Sequence, residues 1–355
     1  MNNLILPVGG LSTRFPNVRP KWLLTHPNGN FMFIEAIRGL NLDFFDNIYL
    51  VCVKSTLEKY KCEEGIYEQT KLFKNIRNFK LVILDEQTRN QPETVYNAIL
   101  KENISGSICV KDCDNYFRMN ANGKNFISYA NLDDFKNINP SNKSYIVKNN
   151  ESIITNIAEK QILSKHFCTG SYGFDDVKIF KNYFEVLKNE DSLYISHIIY
   201  KMILDGFKFG GINCFDYLDW GTLSDWIGYT KQYATIFVDL DGTLVENSGE
   251  YFEPKWGQTD GIKENVECIN KLYDSGKIHV ILTTCRKEYA REITEKQLKK
   301  IGLKYHRILY DLMHAKRILI NDFSSTNPYP SCTAVNLKRN SNELHTFIDE
   351  YLGTV

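Results

Sequence analysis

The run Ile236-Phe237-Val238 delivers two aspartates, Asp239 and Asp241, one residue apart, and hands them to Gly242-Thr243-Leu244. A short apolar stretch of β-branched and aromatic residues, closed by turn-forming residues, reads as a buried strand. Ligands of open α/β sheets gather just past the carboxyl ends of such strands, so both carboxylates stand where chemistry is usually done. The strand begins near residue 236 of 355, which leaves room for another whole domain before it.

Composition allows that. With 43% hydrophobic and 13% aromatic residues the chain can bury one large core or two ordinary ones. Lys+Arg and Asp+Glu both number 43, and no basic run points to a nucleic-acid partner. The nine cysteines are scattered without a C-x-x-C, which fits reduced thiols better than disulfides or a zinc site. No basic leader precedes the first strand candidate at Asn3–Leu6, and no apolar stretch is long enough for a membrane span. The expectation is a cytoplasmic, soluble enzyme with no membrane insertion.

Strand and helix candidates alternate from the start. Strands are expected at Leu4–Val8, Asn47–Val53, Lys80–Leu84 and Ser107–Lys111. Helices are expected around Phe33–Leu40, Ser55–Phe73 and Thr94–Lys101. This alternation predicts a parallel, doubly wound α/β sheet. From Asp112 to Trp226 the pattern loosens, with strands or connections at 150–163 and 166–174 and an amphipathic helix at Tyr194–Gly206. After a polar link at Tyr229–Tyr233 the alternation restarts. Strands are expected at 235–239, 278–283, 317–321 and 333–336, and helices at 261–275, 287–301 and 341–352. Two domains follow, 1–231 and 232–355.

Asp239-x-Asp241 has the chemistry of a paired-carboxylate phosphoryl-transfer site. One acid attacks phosphorus while the other protonates the leaving group and then activates water. Two acids this close repel unless a cation sits between them, which implies Mg²⁺. Thr283-Thr284 and Asn321-Asp322 lie at later strand ends, and Lys316 lies in a basic stretch. Over residues 234–340 the chain resembles the haloacid dehalogenase superfamily of phosphohydrolases. The resemblance implies Asp239 as nucleophile and Asp241 as general acid/base. It also implies Thr284 (or Thr283) and Lys316 on the phosphoryl group, with Asp322 completing the Mg²⁺ site. Arg317 is a rival to Lys316, and Phe323-Ser324-Ser325-Thr326 supplies no second acid after Asp322. Between Val245 and Thr283 there is no room for a large cap, so a capless site is expected.

The second signal is Gly9-Gly10-x-Ser12-Thr13-Arg14-Phe15, just after the first strand, followed by Pro20-Lys21. Glycines let backbone N–H groups approach phosphate oxygens, and Arg14 and Lys21 add cationic donors for a triphosphate. With this loop, residues 1–230 resemble the nucleotidyltransferases that make nucleotide-activated sugars from a sugar phosphate and an NTP, on a glycosyltransferase A-like fold. The resemblance implies Gly9, Gly10, Ser12 and Thr13 at the nucleotide, with Asn90, Gln91 and Thr94 where the base is read. It implies Asp114 and Asp219 as Mg²⁺ ligands, and Lys160 (after Glu159) near the sugar phosphate. Asp112 is a rival to Asp114. Ser12 stands where many members have glycine, which implies a phosphate contact from a hydroxyl. Asn90 stands where a glycine usually lets the base approach, which leaves the base (CTP, GTP, UTP or dTTP) open.

Together these resemblances imply two three-layer αβα domains. The first is a Rossmann-like nucleotidyltransferase domain, the second a capless haloacid-dehalogenase-like Rossmannoid domain. They imply a bifunctional enzyme of nucleotide-sugar biosynthesis, with Mg²⁺ in each domain and a product feeding capsule or lipopolysaccharide. Two alternatives stay open: a non-catalytic C-terminal module, and a cytidylyltransferase for a non-sugar phosphate or phosphonate. Homo-oligomerisation is left open as well.

Overall fold

A computed structural model describes residues 1–10, 14–16, 18–135, 138–247, 255–322 and 332–352. The chain divides into two compact units, Met1–Trp226 and Ile227–Val355. All nine cysteines are free. No helix among the described residues is long and apolar enough to cross a membrane.

The N-terminal unit is built on β1 (Asn2–Pro7), β2 (Asn47–Val53), β3 (Phe79–Leu84), β4 (Ser107–Lys111), β5 (Asn115–Arg118), β6 (Phe126–Asn131), β7 (Ser144–Lys148), β8 (Ile153–Glu159), β9 (His166–Phe174), β10 (Phe209–Asn213) and β11 (Phe215–Asp219). Nine of these form one sheet in the order β3-β2-β1-β4-β9-β6-β10-β8-β7. Its first four strands run parallel, as expected. The rest corrects the expectation: β9 lies antiparallel to both β4 and β6, and β7 and β8 form an antiparallel pair, so the sheet is mixed. β5 and β11 make a small ribbon of their own.

Alternation along the central strands sends side chains into two cores. Leu4 and Leu6 join Trp22, Phe33 and Leu50 on one face, while Ile5 joins Val51, Val95, Ile198 and Phe180 on the other. Burial on both faces is why these strands read as continuous apolar runs. The expected helix over 55–73 is two, Lys54–Tyr60 and Glu63–Lys71, broken where Lys61 takes a left-handed φ of 47°.

His26 sits in this unit against Trp220 and Trp226, with ring centroids 4.2 and 4.8 Å away. Burial, aided by the Arg38 charge, holds its pKa down at about 3. Between pH 6.5 and 3 the unfolded chain therefore binds a proton that the folded chain refuses. This contribution is present above pH 6.5 and is lost as pH falls. Its slope is at most about 1.4 kcal/mol per pH unit. Denaturant midpoints followed by tryptophan fluorescence at several pH values should fall more steeply for the wild type than for His26→Gln. Equal slopes would refute the buried neutral imidazole.

The C-terminal unit has a three-stranded parallel sheet, β12 (Ala234–Asp239), β13 (Ile278–Thr283) and β14 (Arg307–Leu309), in that order. Val238, Leu240, Val280, Leu282, Ile269 and Leu298 form its core with the helices Lys263–Asp274 and Arg291–Lys300. Two expectations fail here. Residues 317–321 and 333–336 are not strands, and the third strand is the unexpected β14. An apolar run becomes a strand when a neighbour takes its hydrogen bonds and a surface covers its side chains. Ile318, Leu319 and Ile320 are instead exposed, Ile320 to 90%.

Candidate functional site

The parallel half of the N-terminal sheet aims β1 and β4 at a cleft of 660 Å³. Gly10, Arg14, Lys21, Asn90, Gln91, Thr94, Asp114, Lys160 and Asp219 all line it. Gly9 lies beside it, where a Cβ would come within 3.2 Å of the Thr94 hydroxyl. Ser12 and Thr13 lie outside the described residues.

The two acids expected to hold metal are brought together by pairing of the small ribbon. Asp219 of β11 is in register with Asn115 of β5, and Trp220 N donates to the Asp114 carbonyl at 2.8 Å. A side chain at Gly221 would meet Asp219 Oδ1 at 3.1 Å, Asp114 Oδ2 at 3.5 Å and Arg14 Nη1 at 3.7 Å. Two carboxylate oxygens thus border one small space, which a side chain at Gly221 would crowd on the Asp219 side. Hard oxygen donors so placed fit a divalent cation such as Mg²⁺.

Lys21 donates to Asp114 Oδ2, and the Arg14 guanidinium lies 3.7 Å from the same oxygen. Burial pushes the Asp114 carboxyl up, but these two cations outweigh it and hold it well below the usual carboxylate range. Asp112 behaves oppositely. Burial, then the neighbouring Asp114 charge, push it up to about 6. Its Oδ1 accepts from Gln91 Nε2 at 2.5 Å, and its Oδ2 fills the place where a Gly170 Cβ would be. Between the rivals, Asp114 is the acid presented with cations and Asp112 the one packed into the wall.

The residues expected at the base have partners within the protein. Asn90 Oδ1 caps the helix Gln91–Lys101 by accepting from Glu93 N at 3.0 Å, and the Gln91 amide is the one bonded to Asp112. Both side chains are engaged with the protein itself. Thr94 shares a 2.6 Å hydrogen bond with Thr88.

Two lysines in and behind the cleft wall were not anticipated. Lys143, in a polar Asn/Ser/Lys stretch, donates to Asp219 Oδ2 and to the Tyr217 hydroxyl at 2.8 Å. Lys111 is fully buried. Its ammonium donates to Asn115 Oδ1 at 2.6 Å, Asn115 O at 3.2 Å and Asp112 O at 2.6 Å, so it ties down the turn that presents Asp114. Glu159 Oε2 accepts from the Ser144 and Ser196 hydroxyls, and Lys160 donates to the Tyr194 hydroxyl at 2.9 Å.

In the C-terminal unit, β12 ends at Asp239 and the following turn holds Asp241. Asp241 is gripped by Arg286, which was not expected. Arg286 Nη2 meets Oδ1 at 2.7 Å, and Nε meets Oδ2 at 3.0 Å. The remaining guanidinium nitrogen donates to Gln297 Oε1 at 2.8 Å and Thr294 Oγ1 at 3.1 Å. Thr284 reaches Asp241 Oδ2 at 3.3 Å, whereas the Thr283 hydroxyl donates to the Val238 carbonyl. Of the two basic rivals, Arg317 sits 2.8 Å from Asp239 Oδ1, and Lys316 is exposed.

The expected metal set of this unit is not assembled. Among the described residues of either unit no group of three or more His, Cys, Asp or Glu is placed to hold a metal ion, and Asp114 and Asp219 of the cleft are a pair. Asp239 and Asp241 face guanidinium groups, and Asp322 is exposed on an irregular segment. A divalent cation at Asp239 and Asp241 would have to displace the two guanidinium groups.

No family model matches the chain, and no curated protein matches it. Solved structures do. One is a nucleoside-diphosphate-sugar pyrophosphorylase from Vibrio cholerae RC9, 18% identical, with a TM-score of 0.54 over 64% of this chain and 99% of that one. Another is a Bacillus anthracis protein assigned as a glucose-1-phosphate thymidylyltransferase, in complex with a sucrose. It is 18% identical, with a TM-score of 0.50 over 65% of this chain and 94% of that one. The N-terminal unit has a nucleotidyltransferase-like fold. The matched share is close to the length of that unit.

Proposed function

We propose that the N-terminal unit transfers a nucleotidyl group from an NTP to a sugar phosphate or related phosphate, releasing pyrophosphate. The observation that carries this reading is the meeting of Asp114 and Asp219 around Gly221, with Arg14 and Lys21 beside them and Lys160 in the same cleft. A phosphate oxygen of the acceptor attacks the α-phosphorus, and the bond to the leaving pyrophosphate breaks in line. Arg14 and Lys21 are placed to hold the triphosphate and offset charge on its oxygens, and Lys160 to hold the acceptor's phosphate. A phosphate monoester is already anionic at neutral pH, so no side chain has to remove a proton. A divalent cation held by Asp114 and Asp219 would supply further neutralisation of phosphate charge. A nucleotide-sugar product points to the supply of a surface polysaccharide such as capsule or lipopolysaccharide, in the cytoplasm.

For the C-terminal unit the reading is hydrolysis of a phosphate monoester through an aspartyl-phosphate. Asp239 attacks phosphorus, Asp241 gives a proton to the leaving alkoxide, and water, losing its proton to Asp241, releases phosphate. A specific observation favours the second reading, a module without turnover: both acids are engaged by arginines, one of them fully buried.

One assay set tests both units. CTP, UTP, GTP, ATP and dTTP are each paired with sugar, polyol and amino-alcohol phosphates and with phosphonates, and pyrophosphate is measured. Release in at least one pairing is expected, and silence across the matrix refutes the transferase. Phosphate release from a panel of esters, lost in Asp239→Asn, supports hydrolysis. Wild-type release no higher than that variant's leaves the non-catalytic module.

A further inference from the structure

Lys143 belongs to no motif, yet it is the side chain that holds Asp219. Besides donating to Asp219 and to Tyr217 OH, its ammonium lies 5.2 Å from the Tyr217 ring centroid. Only 13% of the Lys143 side chain and 20% of that of Asp219 is exposed. A lysine so enclosed, with one carboxylate and one phenol as partners, is directed at its target and not merely solvated. Lys21 stands in the same relation to Asp114. Each of the two acids that surround Gly221 therefore has a lysine of its own. Two carboxylates at one point repel unless cations stand among them, and in the chain alone these lysines do that work.

We infer that Lys143 is an exchangeable counter-ion of Asp219: its ammonium takes the place of the divalent cation in the free protein and gives way when that cation binds. The inference rests on the reading of Asp114 and Asp219 as cation ligands. Backbone pairing places Lys143 beside a second cleft lysine. Ser144 of β7 is in register with Glu159 of β8, and Lys160 N donates to the Lys143 carbonyl at 3.1 Å. Lys143 and Lys160 thus leave facing strands at the same end of one ladder. Released from Asp219, Lys143 keeps Tyr217 as its anchor and adds a second positive charge near Lys160.

The test is Mn²⁺ binding to the full chain without nucleotide, read from the free-ion electron paramagnetic resonance signal. Lys143→Met removes a competitor and a like charge, and should tighten Mn²⁺ binding by about tenfold. Lys143→Arg keeps the charge and should restore wild-type affinity. Unchanged or weaker binding in Lys143→Met overturns the inference, since a lysine that only supports the fold would not tighten a metal site on removal. A second measurement needs no variant. Acetylation of Lys143 by acetic anhydride, followed by mass spectrometry, should accelerate severalfold at saturating Mg²⁺, and equal rates overturn the exchange. Asp219→Asn separates the two layers of the argument. Wild-type Mn²⁺ affinity in that variant refutes the reading of the cleft itself. Lost affinity there, with Lys143→Met unchanged, refutes the role of Lys143 alone.

Discussion

Asp114→Asn is expected to lower NTP-dependent pyrophosphate release by about 10³-fold, the scale seen when a preorganised charge at a reacting phosphate or oxyanion is removed. Asp114 is the acid that meets Lys21 and Arg14 and shares the space around Gly221 with Asp219. Its amide keeps the size but not the charge, so it can neither hold a cation as well nor keep Lys21 and Arg14 aligned. Asp112→Asn is the contrasting variant. Burial and the Asp114 charge already push Asp112 toward its neutral form, and an asparagine oxygen can still accept from Gln91. It should keep most of the turnover. Pyrophosphate release by both purified variants, with circular dichroism to show that they are folded, decides the matter. Full turnover in Asp114→Asn refutes its assignment, and damage confined to Asp112→Asn would exchange the two roles.

The contrast between these aspartates shows what the sequence could and could not carry. β2 and β4 are nearly continuous apolar runs, and their bounds were legible because both faces of each are largely buried. Direction was not legible. A run of nine residues at His166–Phe174 reads the same whether its neighbours are parallel or antiparallel, and here both main neighbours are antiparallel. The segment Ile318–Ile320 failed for the complementary reason: apolar character alone does not supply a hydrogen-bonding partner. Site residues near a glycine loop or a strand end could be found from their local setting. Lys143 and Arg286 could not, because each acts on an acid far away in sequence and sits among ordinary polar residues. For Arg286 one weak signal existed. Thr294 and Gln297 are three apart, hence on one helix face, and both are polar and buried.

That buried arginine carries the second large expected effect. Arg286→Ala should destabilise the C-terminal unit by about 3 kcal/mol, the lower end of the cost of breaking a buried ion pair. Three losses combine: Asp241 loses a two-pronged partner, Gln297 and Thr294 lose a donor, and a cavity opens against the helix Arg291–Lys300. Asp241 keeps 21% exposure, so water compensates part of its loss and the upper end of the range is not reached. Thermal unfolding followed at Trp256, the tryptophan of this unit, should shift down by on the order of 10 °C. Arg286→Lys should recover little, because an ammonium cannot supply the planar fork that meets both Asp241 oxygens and the two helix side chains. In the double variant Arg286→Met/Asp241→Asn, the loss should be clearly smaller than the sum of the single losses, since neither partner is then left charged and alone. Additive losses would mean that the two side chains stabilise the unit separately, and that Asp241 is not held in place by Arg286.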